Sequence, residues 1–225
     1  MGYDTKASEY YSTAMGMSTT ASGNSSTAMG RNTTAKGWYS TAMGYDTTAS
    51  DYASLVIGQY NSSGSSVTNN RHYFNTANTA FVIGNGTASN AKSDAFKVMF
   101  NGDTTVSNDL TVSGDVVISS DARLKSNIVS LGSTLPKLLQ IDGKSYEMKG
   151  KQKIGVLAQE IQEVFPELVT KDDNEMLAVN YQGLVPVLIN ALKEQQSEID
   201  RLKEQEIKII KLEEMLLKLT KNYED

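Results

Sequence analysis

Apolar residues change their rhythm along the chain, and each rhythm predicts a different element. Over residues 1–60 the pairs Met15-Gly16, Met29-Gly30 and Met43-Gly44 fall fourteen residues apart, each preceded by Thr-Ala, and Met1-Gly2 and Ile57-Gly58 keep the register. A half-period of seven lies inside this one, because Ala7, Ala14, Ala21, Ala28, Ala35, Ala42 and Ala49 recur in step. Each seven reads as one short strand plus one turn. Small alanines point into a narrow interior, glycines supply positive φ at the turns, and Ser, Thr and Asn hydrogen-bond locally. A period this strict argues against a flexible linker and predicts a thin β-solenoid. So slender a coil cannot bury a full core alone, so stacking and self-association must supply the rest, with a homotrimer as the expected assembly. Met1 sits in register within a repeat, which reads the chain as the C-terminal part of a longer fibre.

Residues 61–119 read as β-structure without the repeat. SLVIGQYN from Ser54 and TAFVIGNGT from Thr79 look like two copies of one strand and turn. FKVMFNGDTTV carries an Asn101-Gly102 turn between alternating apolar residues, a strong hairpin signal, and LTVSGDVVIS predicts another strand pair around Ser113-Gly114. Trp38, His72 and Tyr73 are candidates for a ligand surface, although aromatics on a fibre more often pack between chains.

From Ser133 the pattern becomes mixed α/β. Thr134 and Pro136 mark a helix start leading into KLLQI, and KSYEMK alternates like a strand. Ile154 and Val156 read as a strand, Ala158 to Phe165 as an amphipathic helix stopped by Pro166, and Leu168-Val169 as a short strand. A long helix begins near Tyr181. Its Leu188, Leu192, Ile199 and Leu202 are spaced by three, four and seven, and Ile209, Leu212, Leu216 and Leu219 resume that rhythm after an extra three-residue step. With Lys and Glu on the flanking positions this is a heptad seam with a stammer, a self-associating coiled coil. The expected fold class is therefore a mainly β N-terminal half, a trimeric β-solenoid or β-roll with added hairpins, followed by a small α+β domain ending in a trimeric coiled coil. The expected segments are 1–60, 61–119, 120–184 and 185–225.

Composition narrows the chemistry. Of 225 residues 39% are hydrophobic, none is cysteine and one is histidine, His72. Disulfides, zinc–thiolate sites and thiol catalysis are excluded, and a lone histidine assembles neither a metal site nor a Ser-His-Asp triad. No metal and no cofactor is expected. The net charge of −5, with no basic patch, argues against a nucleic-acid partner, and there is no apolar run long enough for a membrane partner. No paired carboxylates stand out in the β region to suggest glycoside hydrolysis.

What remains is a serine and a lysine. The stretch SSDARLKSNI, beginning at Ser119, places Ser120 and Lys125 five residues apart where Gly/Ser/Thr repeats without proline give way to a segment holding all three prolines. This junction is the candidate self-cleavage site. Three blocks, SDARLKSNI, IGVLAQEIQEVFPELV and VNYQGLVPVLINALKE, together resemble in order and spacing the intramolecular chaperone domain of phage endosialidases, tailspikes and tail fibres, the peptidase S74 domain, over residues 120–193. Residues 1–60 resemble the head repeats of trimeric autotransporter adhesins. The resemblance implies a viral tail fibre or spike, assembled in the host cytoplasm and carried on the virion for host attachment. In it residues 120–184 form a chaperone domain that trimerises, guides folding of the upstream β fibre and releases itself by cutting between Ser119 and Ser120. It implies a single-turnover serine endopeptidase with Ser120 as nucleophile and Lys125 as base, and a host receptor or glycan bound through the β region. A non-cleaving structural fibre or adhesin tip with a receptor-binding role is the alternative.

The chemistry sets conditions of its own. A serine hydroxyl needs a nearby base, and a lysine serves as one only as the neutral amine, so Lys125 must be partly desolvated. A spacing of five brings two side chains together only if the chain turns between them, which predicts a turn at Asp121 to Arg123. Asp121 caps that turn or orients Arg123, and the capping role is favoured.

Overall fold

The computed structural model describes residues 1–172 and 175–221. The chain divides into two compact units, Met1–Ile118 and Ser119–Asp225.

In the first unit each coil of fourteen residues lays one strand into each of two parallel sheets. Strands Thr13–Met17, Thr27–Arg31, Thr41–Tyr45 and Leu55–Gln59 stack with Ala14 opposite Ala28, Ala28 opposite Ala42 and Ala42 opposite Val56. The two-residue strands Lys6–Ala7, Thr20–Ala21, Thr34–Ala35 and Thr48–Ala49 build the second sheet. The expected β-solenoid is thus present. Between the sheets Ala21, Ala28, Ala35, Ala42 and Ala49 are completely buried, and Val56 and Val82 end the apolar column. Ser26 and Ser40 are buried beside them and donate to the carbonyls of Gly23 and Gly37, both at 2.7 Å. The Oγ1 atoms of Thr19, Thr33 and Thr47 are buried without a hydrogen-bond partner among the described residues, a cost repeated on successive coils.

The glycines do not do what their spacing suggests. Left-handed backbone at the turns falls on Asp4, Tyr11, Ser18, Ser25, Asn32, Tyr39, Asp46, Ala53 and Tyr60, with φ between 43° and 59°. Gly16, Gly30 and Gly44 lie within strands, at φ of 117°, 121° and 123°, where the backbones of successive coils come closest. A Cβ added at Gly30 would sit 2.0 Å from the carbonyl oxygen of Gly44. The glycines therefore set the approach between coils, while the turns tolerate side chains that point outward.

The sheet continues past residue 60, contrary to the expected loss of the repeat. Strand Thr79–Asn85 forms a further parallel rung, with Phe81 opposite Leu55 and Gly84 opposite Gly58, so the two VIG segments are stacked copies. Strands Asp94–Met99 and Thr104–Val106 then add an antiparallel hairpin around Asn101-Gly102, where Met99 N–H donates to Asp103 O at 2.9 Å. The strand pair expected around Ser113-Gly114 does not form. Leu110, Val112, Val116 and Ile118 are exposed, and no layer of the described residues covers the apolar face that such a hairpin needs.

The second unit is small and mixed. Helix α1 (Leu135–Leu138) is followed by a hairpin of Lys144–Met148 and Lys151–Gly155, helix α2 (Ala158–Val164), a hairpin of Val169–Lys171 and Leu177–Val179, and helix α3 (Leu184–Lys221). Val156 falls just beyond its expected strand, and Leu168 lies in the one-turn Pro166–Leu168 helix before Val169–Lys171 begins. The long helix begins three residues after Tyr181, which opens the short turn Tyr181–Gly183. The core consists of Ile161 and Phe165 from α2 with Leu168 and with Val187 of α3. Beyond that contact α3 leaves the body. Its seam residues Leu188, Leu192, Ile199, Leu202, Ile209, Leu212, Leu216 and Leu219 are all exposed. Residues 222–225 of the expected coiled coil lie outside the described residues.

These contacts order two substitutions. Gly30→Ala, at positive φ and against a backbone carbonyl, is expected to cost on the order of 2 kcal/mol or more. Ala53→Gly, at a left-handed turn, is expected to be neutral or stabilising. Thermal unfolding of the two variants checks this; equal melting temperatures would show that the coils can part at Gly30 without penalty.

Candidate functional site

Ser120 and Lys125 stand on either side of one turn of 3-10 helix, Ala122–Leu124. The local sequence explains the turn. Asp121 is extended at φ −61° and ψ 134°, and its carboxylate accepts the Arg123 backbone N–H at 2.8 Å, the geometry of an N-cap. The same carboxylate holds the Arg123 guanidinium through Nη2 at 2.7 Å. Capping and orienting are therefore both performed, not one in place of the other. The Arg123 guanidinium and backbone N–H together keep the Asp121 carboxyl below the usual carboxylate range, so the cap stays charged well into acid. The turn closes with Leu124 N–H on Asp121 O and Lys125 N–H on Ala122 O, each at 3.1 Å.

Through this turn Lys125 Nζ donates to Ser120 Oγ at 2.8 Å. The two side chains that the sequence singles out are in hydrogen-bond contact, within the distance required of a nucleophile and its base. With a neutral amine the same contact reverses, the hydroxyl donating to nitrogen. The desolvation expected of Lys125 is absent in the single chain, since every residue from 119 to 131 is exposed. The physical reason is local: a turn held only by its own cap has nothing packed over it. Leu124, Ile128, Val129 and Leu131, the apolar side chains following the scissile bond, are likewise uncovered. The bond between Ser119 and Ser120 is itself exposed.

The end of this segment is tied to α3. Ser133 Oγ donates to Glu194 Oε2 at 2.7 Å, and the backbone N–H groups of Thr134 and Leu135 point to the same carboxylate. Thr134 Oγ1, buried, donates to Val187 O at 2.9 Å, and Asn190 Nδ2 donates to Gly132 O at 3.3 Å. Glu194 thus caps the N-terminus of α1 from another helix, because Thr134 makes no cap of its own. The backbone N–H of Thr134 and the Ser133 hydroxyl lead in lowering the Glu194 carboxyl below its ordinary range. Sequence reasoning missed Glu194. The one signal available was an acidic residue beside the leucine seam, which any solvated helix face also shows.

Trp38, His72 and Tyr73 also come together, with the Trp38 ring 5.0 Å from His72 and 6.2 Å from Tyr73. Among the described residues no group of three His, Asp or Glu could hold a metal ion, and no helix is long and apolar enough to cross a membrane.

Comparison with known families falls on the two units separately. Residues 120–170 match the chaperone of endosialidase, peptidase S74, and the match begins at Ser120 itself. Residues 1–19, 21–46 and 35–61 match the YadA head domain repeat. No curated protein matches the chain. The chain thus joins a YadA-type head to an endosialidase-type chaperone segment, the combination of a fibre or adhesin with its folding domain.

The Glu194 anchor makes a pH prediction. A glutamate with a lowered folded-state pKa contributes stability above its unfolded value of about 4.3, and that contribution is lost as pH falls through the folded pKa. Wild type is expected to exceed Glu194→Gln in urea midpoint by a constant margin from pH 7 to about pH 5, the margin closing only below about 4.3. Equal midpoints at pH 7 would show that the cap carries no stability.

Proposed function

We propose that this chain is a phage tail-fibre or spike protein whose chaperone domain assembles three copies, guides the β-solenoid into register, and then cuts itself free between Ser119 and Ser120. The observation that carries the reading is the 2.8 Å contact between Lys125 Nζ and Ser120 Oγ across a capped turn, at the first residue of the chaperone match.

The reaction is an intramolecular acyl transfer. Neutral Lys125 takes the Ser120 hydroxyl proton while Oγ attacks the Ser119 carbonyl carbon through a five-membered ring. As the C–N bond breaks, the proton passes to the departing nitrogen, which becomes the free amine of Ser120. The Ser119 acyl group is left as an ester on Oγ, and water hydrolyses it. Each chain cuts once because nucleophile and scissile bond share it. A neutral lysine requires a dry site, and the exposed strip Leu124, Ile128, Val129 and Leu131 beside the dyad supplies the surface that a neighbouring copy would cover. The unpaired leucine seam of α3 supports three-fold association, and Val187, Asn190 and Glu194 would carry the order of that helix to residues 132–135. Cleavage then reports completed assembly, and loss of the clamp leaves the fibre kinetically trapped.

Exposure of Lys125 in the single chain favours a second reading, an uncut structural fibre in which the dyad is inert. Intact mass separates the two. Wild type is expected to yield a fragment beginning at Ser120, with Ser120→Ala remaining whole. Lys125→Arg, which keeps a donor but cannot deprotonate, is expected to slow the cut about a hundredfold or more. Full-length wild type under folding conditions would leave the structural reading in place.

A further inference from the structure

The insertion between the fifth and sixth rungs serves neither the core nor the cut. Successive rungs are fourteen residues apart until Leu55, whose partner Phe81 comes twenty-six residues later, and the buried apolar column has no member from 61 to 78. The extra residues are nevertheless tightly held. Asp51, completely buried, accepts from Thr68 N–H at 2.7 Å and Thr79 N–H at 2.9 Å. Asn78, also buried, accepts from Asn70 N–H at 2.8 Å and donates to Asn70 O at 2.6 Å. Asn70 Oδ1 in turn accepts the backbone N–H groups of His72 and Tyr73 at 2.8 and 2.9 Å. The insertion is also stitched to the turns of two rungs, with Trp38 N–H on Arg71 O at 2.8 Å and Tyr52 N–H on Asn70 O at 3.1 Å.

So many buried polar groups spent on a loop without core residues fix one thing, the position of His72 and Tyr73 against Trp38. The rings of His72 and Tyr73 are inclined to Trp38 by 50° and 53°, which makes an angular trough instead of a flat stack. Tyr73 stays 67% exposed, and Tyr39 and Tyr52 form a further ring pair from the same turns. Aromatic rings held rigidly in water lose little further entropy on binding, and insertions in repeat proteins gather on a binding face. The surroundings are cationic in a chain of net charge −5: Arg71 Nη2 donates to Lys36 O at 3.2 Å, bringing these two basic residues together beside Trp38. The one carboxylate in the network, Asp51, is buried and engaged by two N–H groups.

We propose that the trough of Trp38, His72 and Tyr73, flanked by Lys36 and Arg71, binds a pyranose unit of an acidic polysaccharide. The apolar face of the sugar lies on Trp38, and a sugar carboxylate meets the basic pair. The site stands whether or not the chain is cut after Ser119.

The test uses the full chain on an immobilised panel of neutral and uronate-containing oligosaccharides. Wild type is expected to retain uronate-containing members selectively, and Trp38→Ala to weaken that retention about tenfold, the size of one stacking contact. Tyr73→Ala, at an exposed ring, gives the same readout should Trp38→Ala fold poorly. Absence of retention on any member, equal retention of neutral and uronate members, or dissociation of the assembled protein by Tyr73→Ala would each overturn the site, the last by assigning the rings to packing between chains.

Discussion

The interior of the solenoid is one methyl group wide, and that width constrains the rest of the molecule. Ala28 can meet Ala42, and Gly30 can lie against Gly44, only when consecutive coils are paired without a slip. A shift of one residue would turn the alanine column to solvent and drive a larger side chain into the gap. A single coil buries too little apolar surface to offset the ordering of its own residues, so coils are stable only as neighbours. Register must consequently be found before burial can stabilise it, which places the entropic barrier early in folding.

A separate folding domain answers that difficulty in physical terms. The second unit has its own small core around Ile161 and Phe165, independent of the alanine column. It also carries α3, whose exposed leucines demand a partner that the single chain does not supply. In the proposed mechanism, pairing of three such helices brings the chains together where the β fibre ends. The cleavage turn lies between the two units, and its far end is fastened to α3 by Glu194 and Asn190. Assembly and chemistry are joined through these few hydrogen bonds and through burial of one lysine.

Most of the fold could be read from periods. The alanine half-period gave the strands and their alternation between two sheets, and the leucine spacing gave α3. The glycine roles were misread because spacing alone does not distinguish a turn glycine from one forced by a passing carbonyl. The rung at Thr79–Asn85 was legible as a copied VIG segment, but its place in the stack depended on how the insertion folds back. The pair around Ser113-Gly114 alternates as a hairpin should and still forms no ladder, since alternation needs a second layer to bury against. At the site, the need for a turn between Ser120 and Lys125 followed from geometry, and Asp121 was legible as its cap. Glu194 was not, because a cap supplied from sixty residues away leaves no local mark. Neither was the gathering of His72 and Tyr73 on Trp38, which depends on buried Asn70 and Asn78.

The most direct test links association to the cut. Ile199→Asp with Leu202→Asp places charge on the seam while leaving Ser120, Lys125 and the Glu194 anchor untouched. Oligomeric state by light scattering and fragment formation by mass spectrometry would be followed together during refolding. The account predicts that wild type releases the fragment beginning at Ser120 only from trimers and that the double variant, held monomeric, stays whole. Release of that fragment by the monomeric variant at the wild-type rate would contradict it, by showing that the turn alone activates Lys125.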